Sequence, residues 1–442
     1  MANTPAERRS GMTLGGLGRR AFWVFASAVA TLAVGYAASV ITARVLGPED
    51  RGLLAVLQTD AIVATQVLAF GIHEAVLYYG SRRPRLRPKL LGIVLVQTLV
   101  LALVAFAGVI LFGEPLAHAQ GGSFSLGIWL LAASLVPLGF LEYSALHLVQ
   151  AELNFALTNR TTVMARFVVL LATILLVVRL GLGVTGALIA LISFEVVQIA
   201  VYVPVAARHG LGFSMRVLRT VASYGTRIQL GALFRLASGR FDLILLSFFA
   251  THTTVGYYAI AQVVSELVLL LPRALGTVLL PAVASNRRAD ELSDTSVRLN
   301  GTLSLLALLA VAAGGPLLIV LGYGPAYDPA LVPFLVLLPG IWFLSTGNLV
   351  ANVLAAHGRP GTGSLLAALQ AGLTIGLDLA LIPPFGAVGA ALASTLAYTV
   401  FGLASLVVLG RRSHLSPVRL LFLGRAELRA GLRRVRLSLV GR

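Results

Sequence analysis

The chain has 442 residues, of which 58% are hydrophobic and only 12% are charged, and its formal net charge is +17. The mean hydropathy of +0.91 is far above that of a soluble domain and is typical of an integral membrane protein. Because the chain contains no cysteine, disulfides and thiolate metal sites are excluded.

Apolar segments long enough to cross a bilayer recur along the whole chain. A helix needs about twenty mostly apolar residues to cross the hydrocarbon core. The twelve predicted spans are 21–43, 53–79, 90–112, 124–149, 161–178, 184–205, 220–249, 255–284, 299–322, 330–355, 362–382 and 385–409. We therefore predict an all-α integral membrane protein with about twelve transmembrane helices.

The second six spans repeat the first six. Residues 52–58 return 204 positions later as 256–262 with Gly, Ala and Gln in register, and residues 183–187 return 203 positions later as 386–390. An even number of spans per repeat brings the chain back to its starting side, which predicts parallel repeats. Such duplication in an apolar chain is typical of transporters, whose substrate path lies between the repeats.

The arginines predict which connections face the cytoplasm, because cytoplasmic loops retain Lys and Arg. Alternate connections are basic, with Arg8, Arg9, Arg19 and Arg20, then Arg82, Arg83, Arg85, Arg87 and Lys89, then Arg208, Arg216 and Arg219, then Arg287, Arg288 and Arg298, then Arg359. Both termini are therefore predicted to be cytoplasmic. The remaining connections are short and almost uncharged, so no catalytic ectodomain is expected.

Repeat and topology together predict the domain organisation. It consists of a cytoplasmic N-terminal segment 1–20, an N-lobe of six spans 21–207, a cytoplasmic linker 208–219, a C-lobe of six spans 220–410 and a basic cytoplasmic tail 411–442. A basic juxtamembrane tail is expected to bind anionic lipid headgroups rather than nucleic acid, with a cytoplasmic partner as the alternative.

The sequence has no nucleotide-binding motif in a structural context that could bind a nucleotide. There is no Gly-x4-Gly-Lys-Ser/Thr loop, which excludes the phosphate-binding loop of an ATP-driven pump. The GxGxxG match at 181–186 follows a spanning helix and is interpreted as a turn between helices. We predict no catalytic group, cofactor or metal centre, so energy would come from an ion gradient or from the gradient of the substrate.

Ionisable residues inside the spans are the best candidates for a functional site, because a charge near the bilayer centre costs roughly 2.5–3.5 kcal/mol on insertion scales. At 100° per residue, two polar stripes form on spans seven and eight. They contain Arg227, Arg235, Ser238 and Asp242 on span seven, and Tyr258, Gln262, Glu266, Arg273 and Thr277 on span eight. Counting from the outer ends of the two helices, Asp242 and Gln262 share a level about 10–12 Å deep.

These stripes predict a basic cavity for an anionic substrate. The proposed substrate-binding residues are Arg227, Arg235, Arg273, Gln58, Gln262 and His73. Asp242 and Glu266 are assigned to ion coupling or charge balance. The alternative is that Arg235 and Glu266 pair only to hold helices together. The equivalent positions of the first half are uncharged, so that half is expected to present a polar but mostly neutral wall.

Several segments resemble one transporter family. Residues 43–52 read Ala43-Arg44-Val-Leu-Gly47-Pro48-Glu-Asp-Arg-Gly52 and are similar to the ARxLGPxxxG signature of the polysaccharide-exporter branch of the multidrug/oligosaccharidyl-lipid/polysaccharide (MOP) exporter superfamily. Segments 240–259, 271–281 and 382–391 are similar to further parts of that branch. Together they cover nearly the whole chain.

The resemblance implies a V-shaped transporter in a prokaryotic cytoplasmic membrane, with a cavity lined by spans one, two, seven and eight and alternating access. Its relatives flip polyprenyl-diphosphate-linked oligosaccharides to the outer leaflet, with H⁺ or Na⁺ as the coupling ion where one exists, and work beside glycan-assembly proteins. A diphosphate would explain a cavity lined with guanidinium groups, which bind such anions through two hydrogen bonds.

Three alternatives stay open. The peptidoglycan-precursor flippases carry two additional spans, whereas the longest apolar run after residue 411 is 420–423. The drug antiporters would favour acidic cavity residues, and here the stripes are mainly basic. A membrane glycan polymerase or ligase usually needs a large catalytic loop, whereas the acidic cluster at 290–294 is interpreted as a short solvated cytoplasmic connection.

The predicted topology can be tested with reporters. A reporter fused after Arg442 or inserted within 82–89 should report a cytoplasmic location, because these segments carry the retained positive charge. An external location at either site would refute the predicted orientation.

Overall fold

The structure is a computed structural model that describes residues 14–270, 289–357, 360–413 and 415–423. In this part of the chain all regular secondary structure is helical, and eight helices are long and apolar enough to cross a membrane. Helix covers the described residues of the twelve predicted spans, except for a turn at 69–71 within span two and residues 124–125 at the start of span four. The prediction of an all-α membrane protein is confirmed.

The first half contains six helices. They are α1 (Leu14–Leu68), α2 (Ile72–Arg82), α3 (Arg87–Ala119), α4 (Leu126–Gln150), α5 (Phe155–Thr173) and α6 (Gly183–Ala207), with a π turn over Ile174–Arg179 after α5. Helix α1 carries span one and most of span two across a kink at Gly47, where φ is 76°. Pro48 follows the kink, in the first turn of the new helix, where a missing N–H does no harm.

The second half continues with longer helices. They are α7 (Met215–Phe249), α8 (His252–Ser265), α9 (Ala289–Leu317), α10 (Leu331–Ala356), α11 (Pro360–Ser413) and the short α12 (Pro417–Leu421). A 3-10 turn over Glu266–Leu269 follows α8, and a π turn over Leu318–Tyr323 and a 3-10 turn over Pro325–Ala330 follow α9. Helix α11 carries spans eleven and twelve across a kink at Gly386.

The kink at Gly386 supports the internal repeat. Gly183 at the start of α6 and Gly386 inside α11 are the residues that the 203-residue offset places in register. Their φ angles are 55° and 54°, positive values that glycine adopts without a Cβ penalty. The two glycines therefore share a positive φ as well as equivalent places in the sequence repeat.

Contacts between Cα atoms divide the chain into two compact units. Unit 1 comprises Met1–Val45, Gly71–Phe106 and Leu130–Gly225, and unit 2 comprises Leu46–Phe70, Ala107–Trp129 and Thr226–Arg442. Unit 2 thus includes the second part of α1 and the end of α3 from the first half. The boundaries of the predicted six-span lobes stay a prediction.

Within each unit, connections predicted to share one side of the membrane do meet. In unit 1, Glu152 Oε1 lies 2.5 Å from His209 Nε2 and 3.5 Å from Arg87 Nη1, which joins three connections predicted to be cytoplasmic. In unit 2, Ser413 Oγ donates to Asp294 Oδ1 at 2.6 Å. Asp294 lies on α9, so the interpretation of its acidic cluster as a solvated loop was wrong for this residue.

The outer connections of unit 2 also converge. The ring of His252 at the start of α8 lies against Gly122, where a Cβ would come within 2.6 Å of the ring, and it hydrogen-bonds the backbone of Gln120. The Gln120 side chain in turn donates to Asp60 Oδ2 at 3.1 Å. This pattern fits the predicted alternation of sides, while the choice of cytoplasmic side remains a prediction.

Two glycines hold a close helix crossing in unit 2. A Cβ at Gly52 would lie 1.7 Å from the carbonyl oxygen of His252, and a Cβ at Gly256 would lie 2.1 Å from that of Pro48. Each blocking carbonyl lies four residues before the partner glycine, and the two glycines are related by the repeat. The second part of α1 and α8 therefore cross in a nearly two-fold manner that only glycine permits.

A methyl group should force this crossing apart. Since the obstructing atoms are backbone, Gly256→Ala is expected to destabilise the purified protein by about 1–3 kcal/mol, the usual range for overpacking. Gly239→Ala on α7 is the matched control, because a Cβ there meets nothing within 4 Å. Thermal unfolding should show a lowered Tm for the first variant alone, and equal Tm values would refute the close crossing.

Candidate functional site

The carboxylate of Asp242 on α7 is the centre of a buried polar cluster in unit 2. Asp242 has no exposed surface, and its Oδ1 accepts a hydrogen bond from the Leu243 N–H at 2.8 Å. Its Oδ2 accepts from Tyr258 Oη at 2.5 Å, Ser394 Oγ at 3.3 Å and Gln262 Nε2 at 3.4 Å. Hydrogen bonds to a charged acceptor are among the strongest in proteins, so this carboxylate joins α7, α8 and α11.

A second carboxylate lies close to Asp242. Asp378 on α11 is fully buried, interacts electrostatically with Asp242, and has no hydrogen-bond partner on either carboxylate oxygen. One helical turn earlier, the hydroxyl of Thr374 is also buried and unpartnered. Burying an unpaired carboxylate is costly, so these oxygens are suited to a bound proton or monovalent cation. We call this set the acidic pocket, comprising Asp242, Tyr258, Gln262, Thr374, Asp378 and Ser394.

Two further ionisable groups are linked to the acidic pocket, Arg240 directly and Glu266 through Tyr398, which itself interacts with Asp242. Arg240 interacts electrostatically with Asp242 and is half-buried on α7. Glu266, half-buried at the start of the 3-10 turn, interacts with Tyr398, whose hydroxyl donates to the Ser238 carbonyl at 3.0 Å. The predicted coupling residues Asp242 and Glu266 therefore belong to one polar region.

Sequence periodicity found only part of this pocket. The common level predicted for Asp242 and Gln262 is confirmed by their hydrogen bond. Asp378 could have been found by the same rule, since it is the one acid within the apolar span 362–382. Ser394 and Thr374 carry no such signal, because isolated hydroxyl residues are common in apolar helices.

The arginines of the charged stripe on α7 lie on the surface. The side chains of Arg227 and Arg235 are exposed, in contrast to the buried Asp242 on the same helix. A Cβ at Gly231 would lie 3.7 Å from both Arg235 Nη1 and Ser364 Oγ, which places the guanidinium beside the beginning of α11. Gln58 is half-buried on α1, whereas Arg273 lies outside the described residues.

His73 lies in a packed aromatic cluster of unit 1. Only 3% of it is exposed, and its ring meets that of Tyr143 edge-on at 5.2 Å. Its carbonyl oxygen lies 2.9 Å from Nδ1 of His147, which stacks against the same cluster. Its assignment to substrate binding stays a prediction.

The first half contains charges that the sequence analysis overlooked. In unit 1, Arg166 lies over the Phe194 ring at 4.4 Å and interacts electrostatically with Glu195, which in turn interacts with Glu142. These charges lie on α4, α5 and α6, so the expectation of a polar but mostly neutral wall from spans one and two stays a prediction. In the described part of the chain, no group of three or more His, Asp or Glu side chains could hold a metal ion.

Residues 41–331, more than half of the chain, match the family described as polysaccharide biosynthesis protein. An uncharacterized membrane protein of Methanocaldococcus jannaschii is 23% identical over 411 residues, which cover 86% of this chain and 81% of that protein. The probable flippase AglR of Haloferax volcanii is 27% identical over 287 residues, which cover 59% of this chain and 60% of that protein.

Solved structures share the fold. The lipid II flippase MurJ in an inward closed conformation superposes with a TM-score of 0.75 at 13% identity, covering 90% of this chain and 89% of that chain. A mutant of the Vibrio cholerae MATE transporter VcmN superposes with a TM-score of 0.66 at 16% identity, covering 90% and 98%. The chain therefore belongs to the polysaccharide biosynthesis protein family, and it is a multi-pass membrane protein that shares its fold with the lipid II flippase MurJ and with MATE transporters.

Proposed function

We propose that this protein flips a polyprenyl-diphosphate-linked oligosaccharide across the cytoplasmic membrane by alternating access, for the assembly of cell-surface polysaccharide. The observation that carries the proposal is the pair of exposed arginines, Arg227 and Arg235, in the central part of α7. Membership of the polysaccharide biosynthesis family and the similarity to a probable flippase support the same substrate class.

The spacing of the two arginines suits a diphosphate. Arg227 and Arg235 are eight residues apart, so they project within about 80° of each other at levels about 12 Å apart. Each guanidinium can bind phosphate oxygens through two parallel hydrogen bonds, which replace part of the hydration that the anion loses. Arg273 is proposed as a third contact, and Gln58 as a neutral contact for the sugar.

The acidic pocket is proposed as the coupling site. It offers two carboxylates and several hydroxyl groups in a fully buried setting, and two carboxylate oxygens and one hydroxyl lack partners. Such a site would take up H⁺ or Na⁺, since a neutralising cation removes the cost of the unpaired charge. Glu266 is proposed to balance charge at its edge, and Gln262 is assigned to this pocket through its bond to Asp242.

The alternative functions differ from the proposed one in the charge of the substrate or in the reaction that they would catalyse. The likeness to a lipid II flippase and to MATE transporters supports the fold, and the substrates of those proteins do not follow from it. Exposed arginines on α7 favour an anionic substrate over a cationic drug. A glycan polymerase or ligase would be recognised by glycosyl transfer in an assay with the purified protein, which the proposal expects to be absent.

The cationic residues are tested by substitution. Arg235→Ala and Arg273→Ala should each slow flipping by about tenfold or more, the cost of losing charge-assisted hydrogen bonds. Both variants should still insert, since removing an intramembrane charge eases insertion. Lysine should restore flipping only in part, because it keeps the charge but loses the planar fork.

The measurement is transfer of a fluorescent polyprenyl-diphosphate oligosaccharide in reconstituted vesicles. Arg219→Ala is the matched control, an exposed arginine on the same helix in the predicted cytoplasmic linker. Its transfer rate should equal that of the wild type. Wild-type rates for both Arg235→Ala and Arg273→Ala would refute the cationic cavity.

The coupling site is tested by removing its charges. Asp242→Asn and Asp378→Asn should abolish the dependence of flipping on a Na⁺ or pH gradient, because an amide neither binds a proton nor neutralises a cation. Asp378→Asn should be at least as abundant as the wild type, since its carboxylate has no partner to lose. Glu266→Gln should keep the gradient dependence, with abundance and rate falling together. Retained gradient dependence in both Asp variants would exclude this pocket from coupling.

A further inference from the structure

Arg51 is a buried cation that has no role in the flipping mechanism proposed above. It lies on the second part of α1, one residue before the glycine crossing, and only 8% of it is exposed. Its Nε and Nη1 are buried and have no hydrogen-bond partner. The neighbouring carboxylates of Glu49 and Asp50 are on exposed residues and satisfy neither nitrogen.

Two tyrosines interact with this guanidinium, and a third packs against one of them. Tyr323 ends the π turn after α9 and Tyr327 lies in the following 3-10 turn, and both interact electrostatically with Arg51. Their rings are 5.8 Å apart, and the ring of Tyr257 on α8 meets that of Tyr327 edge-on at 6.4 Å. We call Arg51, Tyr257, Tyr323 and Tyr327 the tyrosine pocket. All four belong to unit 2, at the end predicted to be outer.

A guanidinium in this state is energetically unfavourable. A buried charged group without full hydrogen bonding is usually less stable than an apolar side chain of similar volume. Arginine presents five N–H donors in a rigid fork and never loses its proton, so it cannot relieve the cost by neutralisation. An incoming anionic oxygen would satisfy the free donors and neutralise the charge.

We propose that the tyrosine pocket binds a phosphate group of a lipid at the predicted outer end of the protein. The inference rests on the proposed function and adds to it a phosphate contact at the outer side of the membrane, where the transported lipid would be released. The transported diphosphate and the headgroup of an anionic bilayer lipid offer the same chemistry, and the tyrosine rings provide apolar walls that strengthen the ion pair by excluding water.

The glycine crossing explains how the pocket is closed. Gly52 is the residue after Arg51, and its backbone is pressed against the first turn of α8, which also carries Tyr257. Separation of these two helix segments would uncover the guanidinium. The pocket then binds its ligand in the separated form, and the apparent affinity is lowered by the fraction of molecules that remain closed.

The test uses purified full-length protein in phosphatidylcholine nanodiscs, and its readout is the Tm from intrinsic tryptophan fluorescence. Wild type, Arg51→Met, Arg51→Lys and the control Arg44→Met, an exposed arginine of the same signature, are titrated with inorganic pyrophosphate. A second set of nanodiscs contains phosphatidylglycerol and no pyrophosphate, which separates a bilayer headgroup from a free diphosphate.

Arg51→Met is expected to leave the ligand-free Tm unchanged or raised, because it removes an unpaired buried charge. The pyrophosphate concentration that gives half of the stabilisation should rise about tenfold or more, with Arg51→Lys between the two and Arg44→Met like the wild type. Stabilisation by phosphatidylglycerol alone, lost in Arg51→Met, would support the pocket and assign it to bilayer lipid.

The inference is overturned if neither phosphate source stabilises the wild type, or if Arg51→Met responds like the wild type. It is also overturned if Arg51→Met lowers the ligand-free Tm, since Arg51 would then be a structural residue. In the vesicle assay, wild-type flipping by Arg51→Met would reject this contact and leave the flippase standing, whereas absence of flipping by the wild type would reject the proposed function itself.

Discussion

The hydrogen bonds to the Asp242 carboxylate join three helices of unit 2. Groups on α8 and α11 donate to one oxygen of this side chain, and the backbone of α7 donates to the other. Within a membrane an ionisable group must find partners inside the protein, because lipid offers none. Three helices are therefore held at one point whose charge changes when a proton or cation binds. An ion at Asp242 and Asp378 would act on the contact that fixes the relative positions of these helices.

The glycine crossing is a second contact that holds helices of unit 2 together. It depends on close backbone packing, whereas the contact at Asp242 depends on charged hydrogen bonds. Gly52 and Gly256 let two backbones approach until no side chain fits between them. Helix association in membranes relies on such close packing, since lipid tails provide no hydrophobic driving force between helices. A contact of this kind is lost over a short separation and involves no long side chains. Under the proposed alternating access it would suit a junction that opens and closes, and its near two-fold form follows from the internal repeat.

The sequence predicted what depends on local spacing and missed what depends on packing between distant segments. The spans follow from the length of the apolar runs, the repeat from residues that match at a fixed offset, and the shared level of Asp242 and Gln262 from the helical rise. The contacts of Asp242 with Asp378 and Ser394 could not be derived, because one sequence does not say which helices are neighbours. Arg51 was not predicted as a site residue, because a charged side chain beside a predicted connection between spans is expected to be exposed to solvent. The structure shows that it is buried and that it interacts electrostatically with Tyr323 and Tyr327, which lie far later in the chain.

Under the proposed function, the exposed Arg235 and the buried Asp242 on α7 would link substrate and ion electrostatically. Asp242 and Arg235 are seven residues apart, so their charges are separated by about 10 Å along α7. At that distance, and with an effective dielectric constant of about 20, two unit charges interact by roughly 1.5 kcal/mol. An ionised Asp242 would disfavour a diphosphate at Arg235 by about this amount, and a cation in the pocket would remove the penalty. The magnitude falls within the 1–3 kcal/mol typical of coupling between two sites, and linkage makes the effect reciprocal. Under the proposed function, a bound cation would therefore raise the affinity for the anion, and a bound anion would raise the affinity for the cation by the same factor. The two ligands would need no direct contact with each other.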